Sequence, residues 1–187
     1  MTQQELIVEI CSDLNQIISR TTDLSGLSDA TLNHKHNPGS WSVLECYEHL
    51  NRYCRYYNPE LELAIRSCAR VVNPTPVKST WLGRKFITMM HPSNTRKQKT
   101  LRRMDPRNSA LTKAVVLEFL QHQEKLLEIL STGFGKDLNS RSVPVEFLRL
   151  LRLPVAEALQ FVVVHQQRHI LQINSILAMN QESVLKV

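Results

Sequence analysis

Two histidines of the sequence, His165 and His169, are four residues apart. On a helix this spacing places both side chains one turn apart on one face. Val162 and Ile173 continue that face, so it is apolar. A neutral imidazole in an apolar core needs partners for its ring nitrogens, and two stacked imidazoles need several hydrogen bonds or a metal ion. The spacing therefore predicts two metal ligands, with two hydrogen-bonded core histidines as the alternative.

A third ligand has to come from another helix, and His49 is the candidate. It lies between Cys46 and Tyr53 on a second predicted helix. Three imidazoles leave one tetrahedral position of a divalent ion open, which is typical of a catalytic site, whereas a structural zinc has four protein ligands. Cys46 could be a fourth, softer ligand, and it would then close the site.

Four long amphipathic helices are predicted to position these residues. They span residues 3–22, about 43–72, about 109–130 and about 154–179. Ser42 and Glu45 form a capping-box pattern at the start of the second helix, and Pro59 should kink or split it. Ser109 or Thr112 would cap the third helix. The predicted fold class is all-α, a four-helix bundle in a single domain over residues 1–187.

Shorter elements are predicted between the long helices. Residues 81–87 are expected to form a short helix, and residues 144–151 a further turn of helix. Residues 21–39 are polar and contain two glycines and a proline, so they are expected to be a connection. The link between the second and third helices is unusually long, which is typical of functional or mobile segments.

The composition excludes several classes of protein. With 42% hydrophobic and 21% charged residues in 187, the chain is not mostly disordered, and 5 glycines argue against a turn-rich all-β fold. No apolar run reaches the roughly 18 residues of a membrane span. The first residues lack the pattern of a secretion signal, so we expect a cytoplasmic protein that does not bind membranes. The four cysteines contain no C-x-x-C pair and are expected to be free thiols.

The positive charge of the chain is concentrated in one segment. Residues 78–107 contain nine Lys and Arg and one Asp, a net charge of +8, whereas the whole chain carries +6. Such a segment could contact an anionic substrate, nucleic acid or acidic lipid, or it could be a solvated loop. No helix-turn-helix, zinc-finger or RNA-binding pattern accompanies it, so sequence-specific nucleic-acid binding is not expected.

Three stretches together resemble the DinB-like (DinB/YfiT) superfamily of metal-dependent four-helix-bundle proteins. Residues 41–50, WSVLECYEHL, are similar to the family's W-S-x-x-E-x-x-x-H-L pattern at its second helix. Residues 165–173, HQQRHILQI, are similar to its H-x-x-R-H-x-x-Q-I pattern. Trp81 to Arg84, followed by basic residues and Met104-Asp105-Pro106, resembles a subgroup with a long connection between the second and third helices.

The resemblance implies a ligand set and a range of activities. The family's metal ligands, one histidine of the second helix and two of the fourth, map onto His49, His165 and His169. Its characterised members are described as hydrolases or thiol-dependent transferases that use zinc, nickel or iron and are often dimeric. We therefore expect a divalent metal ion, a small-molecule substrate or thiol cosubstrate, and a homodimer. The basic segment adds the expectation that the substrate is anionic. A fold family does not by itself assign a reaction.

Three side chains near the predicted ligands are candidate catalytic residues. Glu45 lies one turn before His49 and could orient it or act as a base, although the capping box gives it a structural role. Gln172 follows His169 on nearly the same face and could contact substrate or bind a ligand. Tyr53 is a similar candidate. Arg168 should point away from the histidines and form an ion pair.

Two classes of function follow from these patterns. The first is a metal-dependent hydrolase or thiol transferase with a three-histidine site. The second is a non-catalytic helical bundle whose basic segment 78–107 contacts an anionic partner.

Overall fold

The computed structural model describes residues 1–73, 75–96 and 98–184. Within these ranges the chain forms six α-helices, one 3-10 turn (Arg102–Met104) and two short strands. The helices are α1 (Gln3–Leu24), α2 (Asp29–Asn33), α3 (Val43–Arg66), α4 (Trp81–Met90), α5 (Ala114–Ser131) and α6 (Val155–Val184), and the strands are β1 (Ser142–Val145) and β2 (Leu148–Pro154).

Four of the helices, α1, α3, α5 and α6, form a bundle, which confirms the predicted fold class. Both α1 and α3 pack against α5 and α6. The first two long helices of the chain therefore face each other across the diagonal of the bundle instead of lying side by side. Their apolar faces are buried, with Leu14 and Leu50 wholly inaccessible to solvent. This arrangement makes α3 and α6, which carry the candidate ligands, direct neighbours.

Helix α3 begins where the sequence predicts and ends earlier. The Ser42 hydroxyl accepts the Glu45 backbone N–H at 3.1 Å, and the Glu45 carboxylate accepts the Ser42 N–H at 2.9 Å. Pro59 lies inside a continuous helix, so the predicted split at that residue is wrong. The helix ends at Arg66, before the predicted Val72, because the Ser67 N–H turns back to the carbonyls of the last turn.

Two other boundaries differ from prediction. Helix α5 starts at Ala114 instead of Ser109, whose backbone N–H bonds to the Pro106 carbonyl in a turn. The Thr112 hydroxyl lies 3.4 Å from the Ala114 N–H, two residues beyond it. The predicted connection over residues 21–39 contains the short helix α2.

The predicted turn of helix over residues 144–151 is wrong. This region forms an antiparallel hairpin in which Ser142 pairs with Pro154 and Val143 with Leu153. Val143 and Leu153 are buried against the bundle, whereas Leu150 is 92% exposed. The hairpin packs against α3 and α6, so burial against these helices and pairing with β1 outweigh the helix propensity of the leucines and arginines.

Helix α4 confirms the predicted helix in the long connection and packs on α6. Thr80 caps it by accepting the Gly83 backbone N–H. The fully buried carboxylate of Glu157 accepts both the Thr80 backbone N–H at 2.5 Å and the Thr80 hydroxyl at 2.6 Å. Gly83 faces this carboxylate so closely that an added Cβ would overlap it.

The helices and cysteines agree with two further expectations. In the described ranges, no helix combines the length and the apolar character that crossing a bilayer requires. All four cysteines are free thiols, as predicted, and three of them are buried.

Candidate metal centre

The three predicted ligand histidines come together between α3 and α6. The His165 Nε2 atom lies 3.3 Å from the His49 Nε2 and 3.2 Å from the His169 Nε2. One ligand atom from each ring falls within 4.8 Å of the other two. The residues are only 3%, 5% and 9% exposed, in the order His49, His165, His169. In the described part of the chain, this is the one such group of histidine, cysteine or acidic side chains.

The outer nitrogens of two rings are held by hydrogen bonds. The His49 Nδ1 lies 2.7 Å from the Met104 backbone carbonyl, and the His169 Nδ1 lies 2.9 Å from the Gln172 Oε1. Because these oxygens only accept, each Nδ1 carries a proton and donates it outward. The Nε2 atoms of His49 and His169 are then unprotonated, and their lone pairs face the His165 ring.

This arrangement fits a metal ion. At metal–nitrogen distances of about 2.0–2.1 Å, two imidazoles on a tetrahedral zinc have nitrogens about 3.4 Å apart. Two of the three separations, 3.2 and 3.3 Å, match this value, and all three ligand atoms lie within 4.8 Å of one another. Without a cation, a proton on the His165 Nε2 is the only donor between the three converging nitrogens. It can serve one of the two facing lone pairs, so the inner side of the cluster has too few donors. An outward Nδ1–H bond to a carbonyl is also the usual support of a ligating histidine.

Burial keeps the three imidazoles neutral, which is the form that binds metals. Desolvation lowers the pKa of His49 to about 4, although the hydrogen bond to the Met104 carbonyl opposes the shift. The pKa values of His165 and His169 are also well below the usual range, because both rings are desolvated and have the other histidines as neighbours.

Aromatic rings surround the cluster. The Trp41 ring centroid is 4.8 Å from that of His49 and 6.0 Å from that of His169. Tyr53 covers another side, with its ring centroid 4.6 Å from that of His165 and 5.0 Å from that of His49. Phe161 stacks on His165 one turn earlier on α6. The cluster therefore lies in a pocket that excludes most water.

The three candidate catalytic residues have different positions. Gln172 is bonded to His169, and Tyr53 contacts two of the rings. Glu45 is occupied elsewhere: beyond the capping box, its carboxylate accepts the Lys35 Nζ and the Asn108 backbone N–H, both at 2.7 Å. The capping role predicted for Glu45 is present, and catalytic roles for Glu45, Gln172 and Tyr53 stay predictions.

Cys46 and Arg168 are two further residues that lie near the histidines in the sequence. Cys46 is fully buried and is not one of the side chains grouped at metal-binding distance, which are His49, His165 and His169. Arg168 binds backbone carbonyls, and among the described residues it has no ion pair with an acid. Its guanidinium donates to the carbonyls of Asn94 at 2.5 Å and Arg96 at 2.7 Å and so fastens the long connection to α6.

The described Lys and Arg side chains of the basic segment are exposed, and two of them form ion pairs. Arg103 bonds to the carboxylate of Glu146, and Arg107 pairs with Asp105. Lys97 lies outside the described residues. An open surface depression is lined by residues 101–103, next to Met104.

Sequence reasoning missed the Met104 carbonyl and the position of Trp41. A backbone carbonyl leaves no signal in residue type, although residues 104–106 and Trp41 both lie in stretches of the family resemblance. Met104 contacts His49 only because the long connection folds back against α3, and Trp41 contacts His49 through the start of that helix.

Comparisons with known proteins agree with this fold. A family model described as the DinB superfamily matches residues 14–173. No curated protein matches the chain. A solved structure, YfiT from Bacillus subtilis, matches with a TM-score of 0.58 and 13% identity, over 91% of this chain and 85% of that chain. That protein is described as "a probable metal-dependent hydrolase with an unusual four-helix bundle topology".

Proposed function

The chain belongs to the DinB superfamily, and we propose that it is a metal-dependent hydrolase whose single divalent ion is bound by His49, His165 and His169. The convergence of three neutral Nε2 atoms within 4.8 Å carries this proposal. Imidazole donors suit zinc, nickel and iron. The description of YfiT as a metal-dependent hydrolase supports the reaction class.

A divalent ion held by these three imidazoles would lower the pKa of a bound water and would polarise a carbonyl or phosphoryl oxygen of the substrate. The residues of the chain prepare the site for it. The Met104 carbonyl and Gln172 fix the tautomers of two rings, so both present a lone pair inward. Trp41 and Phe161 pack beside the rings and exclude bulk water, which strengthens electrostatic interactions inside.

Tyr53 is the residue that we propose to contact the substrate. Its ring lies against two of the histidines, and burial raises the pKa of its hydroxyl to about 12. The hydroxyl therefore stays protonated at neutral pH. It can donate a hydrogen bond to an oxygen that gains negative charge during hydrolysis.

The basic residues of the 3-10 turn favour an anionic substrate. Residues 101–103 line the open surface depression, and among the described residues the Arg102 guanidinium has no hydrogen bond or ion pair. An exposed guanidinium on this segment is suited to a carboxylate or phosphate group.

Elemental analysis of protein purified without an affinity tag tests the metal site. We expect about one zinc, nickel or iron per wild-type chain and loss of the ion in His165→Ala, because that imidazole lies between the other two. His122→Ala is the matched control, since His122 pairs with Glu118 on α5 and lies outside the cluster. A folded wild-type protein that takes up no metal when metal is supplied would contradict the proposal and favour a non-catalytic bundle.

A second step separates the reaction classes. Metal-loaded and metal-free protein are compared on carboxylic esters, amides and phosphoesters, and separately on an alkyl halide with a low-molecular-weight thiol. Metal-dependent hydrolysis without thiol supports the proposal. Turnover that requires the thiol would replace hydrolysis with thiol transfer at the same three histidines.

A further inference from the structure

The carbonyl that fixes the His49 tautomer belongs to the long connection, not to a bundle helix. Met104 ends the 3-10 turn (Arg102–Met104), and its carbonyl accepts the His49 Nδ1–H at 2.7 Å. A three-residue turn does not hold its own position. Whatever secures the turn against α3 therefore also determines how His49 presents its Nε2 atom.

Arg52 of α3 secures the turn on both sides of Met104. Its Nη1 atom donates to the Arg103 carbonyl at 3.1 Å and to the Asp105 carbonyl at 3.0 Å. Arg52 lies three residues after His49, so the imidazole and the guanidinium face the same segment. Its Nε atom is bonded to the Glu48 carboxylate at 2.9 Å, which orients the guanidinium.

Two further side chains hold the same segment. The Arg103 guanidinium donates to the Glu146 Oε1 at 2.5 Å and to the Glu146 carbonyl at 2.7 Å, which ties the turn to the hairpin. The Trp41 Nε1 donates to the Asp105 carboxylate at 3.1 Å. Glu146 is 3% exposed, so its bond to Arg103 is partly shielded from water.

We propose that Arg52 is a positioning residue of the metal site, acting through the Met104 carbonyl on the tautomer and orientation of His49, with Glu146 as a weaker second support. This inference rests on the proposed function of the histidines as metal ligands. Without Arg52, the carbonyls on both sides of Met104 lose their side-chain donor, and the turn can move away from His49. The ring then exchanges between tautomers, one of which carries a proton on the ligand atom.

Arg55 provides a matched comparison on the same helix. It also bonds to Glu48, at 3.1 and 3.2 Å, and it pairs with Glu118 of α5. In the described structure it does not contact the 3-10 turn. Arg52→Met and Arg55→Met therefore both remove an arginine from Glu48, but only the first removes the support of the Met104 carbonyl.

The test measures Co²⁺ and Zn²⁺ affinity by competition with a chelator and the His49 tautomer by ¹⁵N-histidine NMR of the metal-free protein. For Arg52→Met we expect about 10–100-fold weaker metal binding, the range for loss of an outer support of a ligand. We also expect a changed Co²⁺ visible spectrum and a mixture of His49 tautomers. Arg52→Lys should restore part of the affinity, and Arg55→Met should leave affinity, spectrum and tautomer unchanged.

The outcomes separate this inference from the proposed function. Wild-type affinity and a single His49 tautomer in Arg52→Met would overturn it, as would equal losses in Arg55→Met. If Arg52→Met does not fold, Glu146→Gln takes its place, with a smaller loss expected in the same direction and unchanged affinity overturning the inference. If wild-type protein binds no metal, the proposed function fails, and the tautomer measurement still decides whether Arg52 positions His49.

Discussion

Glu157 and His165 are both buried polar side chains of α6, eight residues apart, and their surroundings differ. Both oxygens of Glu157 are paired with donors of Thr80, and Gly83 closes the space beyond them. The Nε2 of His165 instead faces the unprotonated Nε2 atoms of His49 and His169. A buried group whose partners all come from the chain stabilises the fold. A cluster that is paired on its outer side and lacks donors on its inner side indicates a ligand site.

The largest effect of a substitution is expected at the closed site, in Gly83→Ala. The new Cβ would displace the Glu157 carboxylate from Thr80 and leave a buried charge without partners. We expect a loss of about 3 kcal/mol in the free energy of unfolding, because two hydrogen bonds to a buried carboxylate are lost, and urea denaturation measures it. Gly26→Ala is the control, because nothing lies within 4 Å of a Cβ at that position. Equal stability of the two variants would show that Glu157 relaxes without cost and would weaken the contrast with the histidine cluster.

Acid should destabilise the metal-free protein through the histidine cluster. The pKa of His49 is about 4 in the folded chain and about 6.5 in the unfolded chain. Between these two pH values the unfolded state therefore binds more protons than the folded state. Stability is then fully present above about pH 6.5 and falls by about 3 kcal/mol as the pH drops to 4, with His165 and His169 adding in the same direction. Urea denaturation across this range measures the slope. His36→Gln, at an exposed histidine, should keep the slope, and a flat profile would contradict burial of neutral imidazoles.

The smallest effect is expected for Gln172→Ala. Its side chain is exposed, so stability should change by less than about 0.5 kcal/mol. Loss of the bond to the His169 Nδ1 should nevertheless weaken Zn²⁺ binding about tenfold, measured by chelator competition. Gln167→Ala is the control, since Gln167 bonds to Asp13 of α1 instead. Identical Zn²⁺ affinity of both variants would show that His169 needs no outer support.

The helices and the three histidines could be predicted because both leave regular signals in the sequence. His165 and His169 share a helix face through their four-residue spacing, and the Ser42 capping box sets the start of the helix that carries His49. The hairpin could not be predicted from residues 144–151, since leucine and arginine favour helices and the strand pairing comes from contacts with distant segments. The supports of His49 were equally hidden, because Arg52 acts on backbone carbonyls that any residue would supply.

The direct packing of α3 on α6 determines when the three histidines can come together during folding. The proposed ligands come from positions 116 residues apart. A chain still being synthesised cannot assemble the three imidazoles until α6 has left the ribosome and docked, since the nascent bundle offers at most His49 before then. Docking of α6 is therefore required for the metal binding that we propose, because α3 alone offers one of the three imidazoles.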